Sequence, residues 1–178
     1  MRQRFWVAAM VLAAGGMAAV AVPTGAYAQP GDTCQGLPVT NPYVGTDGPD
    51  YVYGTAANEV VNLRGGNDVY IDQGGADVVC LGNGNDTFTN LSGVATGDDQ
   101  VYGEAGDDGI SSSNGTDSLF GGDGRDSLFG DLGTQYLMGG PGDDVLSGGP
   151  GYQSGNGGTG FDRCQFTVEF PTNCEASF

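Results

Sequence analysis

The sequence predicts an all-β chain, wound as a parallel β-helix solenoid from nine-residue units. Three observations predict it. Acidic residues recur every nine positions over most of the chain, with a glycine two places before and an apolar residue two places after. Glycine supplies 35 of the 178 residues. The formal charge is −17, from 22 acidic and 5 basic residues with no histidine, far from the balance of an ordinary globular core.

The chain opens on a leader. Arg2 and Arg4 precede an apolar, alanine-rich stretch from Phe5 to Val22, and Ala26-Tyr27-Ala28 follows as an A-x-A cleavage site. That is the three-part pattern of a secretory signal peptide over residues 1–28. A run of about 18 apolar residues also suits a membrane anchor. The Gly15-Gly16 pair, Pro23 and the cleavage site favour removal, which leaves no membrane span in the mature chain. The remaining 150 residues carry three arginines (Arg64, Arg125 and Arg163) and all 22 acids, a charge of −19. Leu, Ile, Val and Phe make up 30 of the 150, which is close to the composition of disordered chains. Something besides a conventional core must hold such a chain together.

Residues 29–44 read as an N-terminal cap, and the repeats run over 45–165. One series of repeat positions is Asp50, Glu59, Asp68, Asp77 and Asp86; the other begins at Asp99 and runs through Asp108, Asp117, Asp126, Gln135, Asp144 and Gln153 to Asp162, with glutamine in place of an acid at two of them. The series are offset by 13 residues, one unit plus a four-residue insertion near Asn90 to Gly93. This gives about thirteen units of the form G-G-x-G-x-D-x-U-x, where U is apolar. Gly121-Gly122-Asp123-Gly124-Arg125-Asp126 is a complete example of the first six positions. The fourth-position glycine fails only at Ala57, and eleven of thirteen U positions hold a large apolar residue.

Each unit has a physical reading. Glycines at fixed positions permit left-handed backbone and close approach of neighbouring turns. A six-residue glycine-rich turn cannot bury its own polar backbone and needs a ligand, water or a cation. The x-U-x triplet is a very short strand with one inward side chain. Two units therefore make one 18-residue coil, and stacked coils make a flat β-roll.

These units resemble the RTX, or hemolysin-type calcium-binding, family, whose nonapeptide is the calcium-binding β-helix repeat. The flanking cysteines further resemble those of small secreted calcium-binding proteins of actinobacteria. The resemblance implies Ca²⁺ between one turn and the turn 18 residues later, held by Asp carboxylates and turn carbonyls. One edge of the roll then carries Asp50, Asp68, Asp86, Asp108, Asp126, Asp144 and Asp162 as metal ligands. The other carries Glu59, Asp77, Asp99, Asp117, Gln135 and Gln153, of which Asp77, Asp99 and Asp117 are the candidates. Asp is also common in glycine-rich turns for its local hydrogen bonds. That use alone leaves the charge of −19 unbalanced.

Four cysteines behind a signal peptide point to two disulfides, with three possible pairings. If the roll forms, Cys80 and Cys164 stand more than four coils apart, roughly 20 Å at about 4.8 Å per strand step. A disulfide needs Cα atoms within about 7 Å, which excludes that pair. Cys34–Cys80 and Cys164–Cys174 form the local solution and staple the two ends. Residues 166–178 read as a C-terminal cap, with Phe161, Phe166, Phe170 and Phe178 covering the last coil. Tyr102, Phe120 and Phe129 follow U positions and face outward.

Composition excludes other functions. Five basic residues make no footprint for nucleic acid. Without histidine there is no Ser-His-Asp triad, Cys-His pair or His-ligated zinc. Adjacent acids such as Asp143-Asp144 pair a repeat position with a variable one, a poor basis for glycosidase chemistry. The sequence thus reads as a secreted, extracellular, non-enzymatic protein whose roll folds around calcium. An adhesion-type surface scaffold for a protein or polysaccharide, or an accessory module of a secreted enzyme system, is the alternative. RTX exporters usually use a C-terminal signal, and the N-terminal one here departs from that pattern.

Overall fold

The computed structural model describes residues 32–40, 44–90, 96–165 and 172–177. The signal segment, most of the insertion and Phe166, Phe170 and Phe178 lie outside them. The described residues contain strands and turns and no α-helix. A short antiparallel hairpin, β1 (Thr33–Cys34) and β2 (Leu37–Pro38), turns at Gln35 and Gly36, both with positive φ.

Thirteen strands follow, one per repeat, and they alternate between two parallel sheets. One sheet holds β3 (Tyr51–Tyr53), β5 (Val69–Asp72), β7 (Thr87–Asn90), β9 (Gly109–Ser111), β11 (Ser127–Phe129), β13 (Val145–Ser147) and β15 (Arg163–Gln165), with β16 (Ala176–Ser177) added at its end. The other holds β4 (Val60–Asn62), β6 (Val78–Asn83), β8 (Gln100–Ala105), β10 (Gly115–Asp123), β12 (Gly133–Pro141) and β14 (Gly151–Thr159). Register follows the repeat. Tyr51 pairs with Val69 and Val69 with Thr87, then Thr87 with Gly109 across the insertion. Inserting four residues in one turn leaves both ladders in phase, because the extra chain is taken up between strands.

The U side chains line the interior. Val61, Tyr70, Val79, Phe88, Val101, Ile110, Leu119, Leu128, Leu137, Leu146 and Cys164 form one buried column, and Val52 packs partly buried against it. Tyr70 and Phe88 stack with ring centroids 5.8 Å apart. Each fully buried aliphatic side chain contributes about 1.5–3 kcal/mol. Leu63 and Leu81 join this column. They occupy the first position of their units, where glycine stands in later coils.

The disulfides are Cys34–Cys80, with Cα atoms 5.6 Å apart, and Cys164–Cys174, at 5.8 Å. The first fastens the hairpin against β4 and β6. Asn62 Nδ2 also donates to Thr33 O at 2.7 Å. Tyr102 and Phe120 face outward as expected and stack 4.7 Å apart. Phe161 does not cover the last coil: it is 58% exposed at the tip of its turn, because the fifth repeat position points away from the roll.

Candidate metal centre

All ten acids expected to bind metal are buried, and they sit in two columns at the two edges of the roll. Their order along one edge comes from a repeated hydrogen bond. The backbone N–H of each repeat Asp donates to Oδ1 of the Asp in the next coil. Asp50 donates to Asp68 (2.8 Å), Asp68 to Asp86 (2.7 Å), and Asp86 to Asp108 (2.8 Å) across the insertion. Asp108 donates to Asp126 (2.9 Å), Asp126 to Asp144 (2.8 Å) and Asp144 to Asp162 (2.9 Å). The other edge repeats the bond from Glu59 to Asp77, Asp77 to Asp99 and Asp99 to Asp117.

That bond uses one carboxylate oxygen and leaves the other. Oδ2 of Asp68, Asp86, Asp108, Asp126, Asp144 and Asp162 is buried with no hydrogen-bond partner. An unpaired buried carboxylate oxygen is costly, and six in one column fit a bound cation. Glycine brings main-chain oxygens close to the same carboxylates. A Cβ on Gly103 would collide with both Asp108 Oδ2 and Gly121 O of the next coil. On Gly121 it would collide with Asp126 Oδ2 and stand 2.7 Å from Gly139 O; on Gly139 it would collide with Asp144 Oδ2 and Gly157 O. The absence of a side chain thus lets one free carboxylate oxygen and one carbonyl oxygen converge on each of these glycines, in small hollows too tight for a Cβ. Among the described residues no three acidic or thiol side chains form a compact group. A cation here therefore takes main-chain carbonyls along with carboxylate, the hard oxygen set that suits Ca²⁺.

The ends of the column differ. Asp50 Oδ2 accepts from its own turn, from Thr46 N at 2.6 Å and Thr46 Oγ1 at 3.0 Å. Glu59 does the same through Thr55 on the other edge, and Tyr70 also donates to it at 3.0 Å. With no earlier coil to meet, these two acids close their own turns. In the next coils Leu63 and Leu81 take the place of the glycine hollow.

On the second edge Asp77 and Asp117 also keep a buried, unpartnered Oδ2, but the chemistry changes along its length. Gln135 and Gln153 are fully buried. Gln135 Nε2 donates to Leu132 O at 3.1 Å, and Gln153 Nε2 to Asp131 O at 3.4 Å. A neutral amide N–H here meets turn carbonyls that a cation would otherwise meet. Earlier along this edge Asp72 stands where the repeat has its first glycine, and it is wholly buried. Asn90 Nδ2 links Asp72 Oδ2 (2.8 Å) to Asp99 Oδ2 (3.4 Å). Sequence reasoning passed over Asp72 and Asn90; an acid in a glycine position was the signal that pointed to them.

Burial raises these carboxyls, against the opposing pull of the N–H from the previous coil. It takes Asp68, Asp99 and Asp126 to about 6, Asp108 to about 7 and Asp77 to about 8. Carboxylates in adjacent turns add to the rise at each of the five. Asp86, Asp117 and Asp144 are raised for the same first reason. Asp108 and Asp77 therefore hold protons into the neutral range, while Asp68, Asp99 and Asp126 give theirs up near pH 6.

A family model described as the RTX calcium-binding nonapeptide repeat (4 copies) matches residues 41–70, 72–88, 95–119, 111–146 and 129–151. The matched stretches span both edges and stop short of Asp162. A search of the curated proteins finds no match to this chain.

Proposed function

We propose, for a chain that belongs to the RTX calcium-binding nonapeptide repeat family, that it is a secreted, extracellular, non-enzymatic protein whose fold is set by calcium. The roll is a calcium-binding β-roll and Ca²⁺ is its cofactor. The finer reading concerns placement. Ions are held along the edge of Asp68, Asp86, Asp108, Asp126, Asp144 and Asp162, best where Gly103, Gly121, Gly139 and Gly157 leave hollows. Asp50 closes the first turn of that column. Asp77, Asp99 and Asp117 offer fewer sites, since Asp99 is engaged by Asn90 and the column ends in glutamines.

The observation that carries this reading is the row of six buried, unpartnered Oδ2 atoms. Each such oxygen calls for a positive partner, and the three arginines beyond the leader are too few and too scattered to serve. Calcium supplies charge and coordination together, and its binding free energy becomes folding free energy. The signal pattern of residues 1–28 and two disulfides support an extracellular setting.

Circular dichroism of the chain freed of its leader tests the proposal. In chelator the spectrum is that of a largely unfolded chain, and millimolar calcium restores β structure. Identical spectra in the two conditions would overturn it.

A further inference from the structure

We infer that residues 172–177 act as one more turn of the Asp column, and that Asn173 and Glu175 complete a calcium site with the turn of Asp162. This inference rests on the calcium reading above and adds a site built from residues outside the repeat. The argument begins with the ladder. Asp162 is the last repeat Asp, so its N–H has no further Asp to meet. It donates instead to Glu175 Oε2, at 2.6 Å. A glutamate from a segment without the repeat therefore holds the place that Asp162 holds for Asp144.

The main chain agrees. Glu175 N–H returns to Asp162 O at 2.9 Å, and β16 extends the sheet with Arg163 opposite Ala176 and Cys164 opposite Ser177. The segment is therefore seated on the last coil as a coil would be, although it reaches there in 13 residues rather than 18. The hollow beside Asp162 is independent of this pairing. A Cβ on Gly157 would collide with Asn173 O and lie 2.5 Å from Asp162 Oδ2. Asn173 O thus takes the position that Gly121 O, Gly139 O and Gly157 O take in the preceding hollows. Asp162 is fully buried, and its Oδ2 is unpartnered and borders this hollow.

Two oxygen donors border that hollow, the Asp162 carboxylate and the Asn173 carbonyl, and the Glu175 carboxylate stands on the adjoining N–H of Asp162 as the charge the ion would draw in. The donor set matches the hard oxygen preference of Ca²⁺. It differs from the repeat hollows in one respect. Glu175 is exposed, so the site opens to solvent on one side and water fills the remaining positions. Cys174 lies between Asn173 and Glu175, and its bond to Cys164 fixes both against the coil. The disulfide and the ion hold the same segment, so each protects the other's geometry.

The test uses Glu175→Gln, which keeps the hydrogen-bonding oxygen and removes the charge. Calcium stoichiometry is measured by titration calorimetry on the wild type and the variant. The variant is expected to bind one ion fewer, or to lose about tenfold or more at one site, with the rest of the titration unchanged. A second readout is the rate at which dithiothreitol reduces Cys164–Cys174, followed by alkylation and mass spectrometry with Cys34–Cys80 as internal reference. Calcium is expected to slow that reduction about tenfold in the wild type and far less in Glu175→Gln. Equal stoichiometry and affinity in both proteins, or equal protection of the disulfide, would overturn the inference and leave the calcium-binding roll standing. A wild-type chain that bound no calcium would overturn both.

Discussion

Adding one methyl group at Gly121 tests the hollows directly. The backbone there has a φ that ordinary residues adopt, so Gly121→Ala brings no backbone strain. Its effect comes from the Cβ alone, which collides with Asp126 Oδ2 and stands 2.7 Å from Gly139 O. Relief of that overlap needs the carboxylate to retreat by about 1 Å, in an interior packed too densely to yield freely. Calcium–oxygen bonds span only about 2.3–2.6 Å, so a retreat of that size removes a ligand. Gly109→Ala is the control: its nearest neighbour is Asp86 O at 3.9 Å. Calcium titrations followed by circular dichroism and calorimetry compare the two. Gly121→Ala is expected to bind one ion fewer and to raise the calcium midpoint about tenfold, equivalent to about 1.4 kcal/mol. Gly109→Ala is expected to match the wild type or gain a few tenths of a kcal/mol from a stiffer unfolded chain, about 0.4 kcal/mol or more. Equal midpoints and stoichiometries for the two variants would refute the hollows as calcium sites.

Other perturbations separate the edges and the core. Asp126→Asn keeps the acceptor for Asp108 N–H and removes the charge, so it is expected to raise the calcium midpoint about tenfold while leaving the acid-pH fold intact. Gln135→Asn shortens a buried amide that reaches Leu132 O; it is expected to lower stability by about 1 kcal/mol at saturating calcium without changing stoichiometry, read by urea titration. Leu128→Ala empties part of the central column and is expected to cost about 2–5 kcal/mol in the same assay, with ion number unchanged. The pH dependence in chelator has a defined sign. Folded-state values for the Asp column lie above the unfolded value, so any residual structure is favoured at low pH and lost as pH rises from about 4 through the range of Asp126 at about 6, Asp108 at about 7 and Asp77 at about 8. Calcium binding is correspondingly expected to release protons at pH 6, detectable in weakly buffered solution, and a chelated roll more stable at pH 8 than at pH 5 would contradict this.

Much of this architecture was legible in the sequence because the period does the specifying. A nine-residue count assigns every U residue to the interior, alternates the sheets, and separates the aspartates into two columns. It also placed Cys80 and Cys164 too far apart to pair, which the observed disulfides bear out. Departures from the period were harder to read, since each is a local exchange of one interaction for another. Leu63 and Leu81 fill with apolar volume a space that glycine leaves open elsewhere. Thr46 and Thr55 turn Asp50 and Glu59 back on their own turns because nothing lies beyond them. Gln135 and Gln153 stand at repeat-acid positions in sequence, and only the structure shows their amides donating to turn carbonyls. The segment carrying Glu175 has no repeat at all, and only its contacts reveal where it sits.

The two covered ends bear on how many molecules one roll contains. Every coil presents to the next an in-register row of main-chain donors and acceptors, and the last coil of one copy would fit the first coil of another equally well. Stacked parallel strands at about 4.8 Å spacing are also the geometry of a growing fibril. β16 lies along the last strand of its sheet, the N–H groups of Thr40 and Gly45 bond β4 at the other end, and a disulfide ties each flanking segment to the roll. They therefore work as stoppers against polymerisation. A roll with both bonds reduced is therefore expected to self-associate along the axis of its coils.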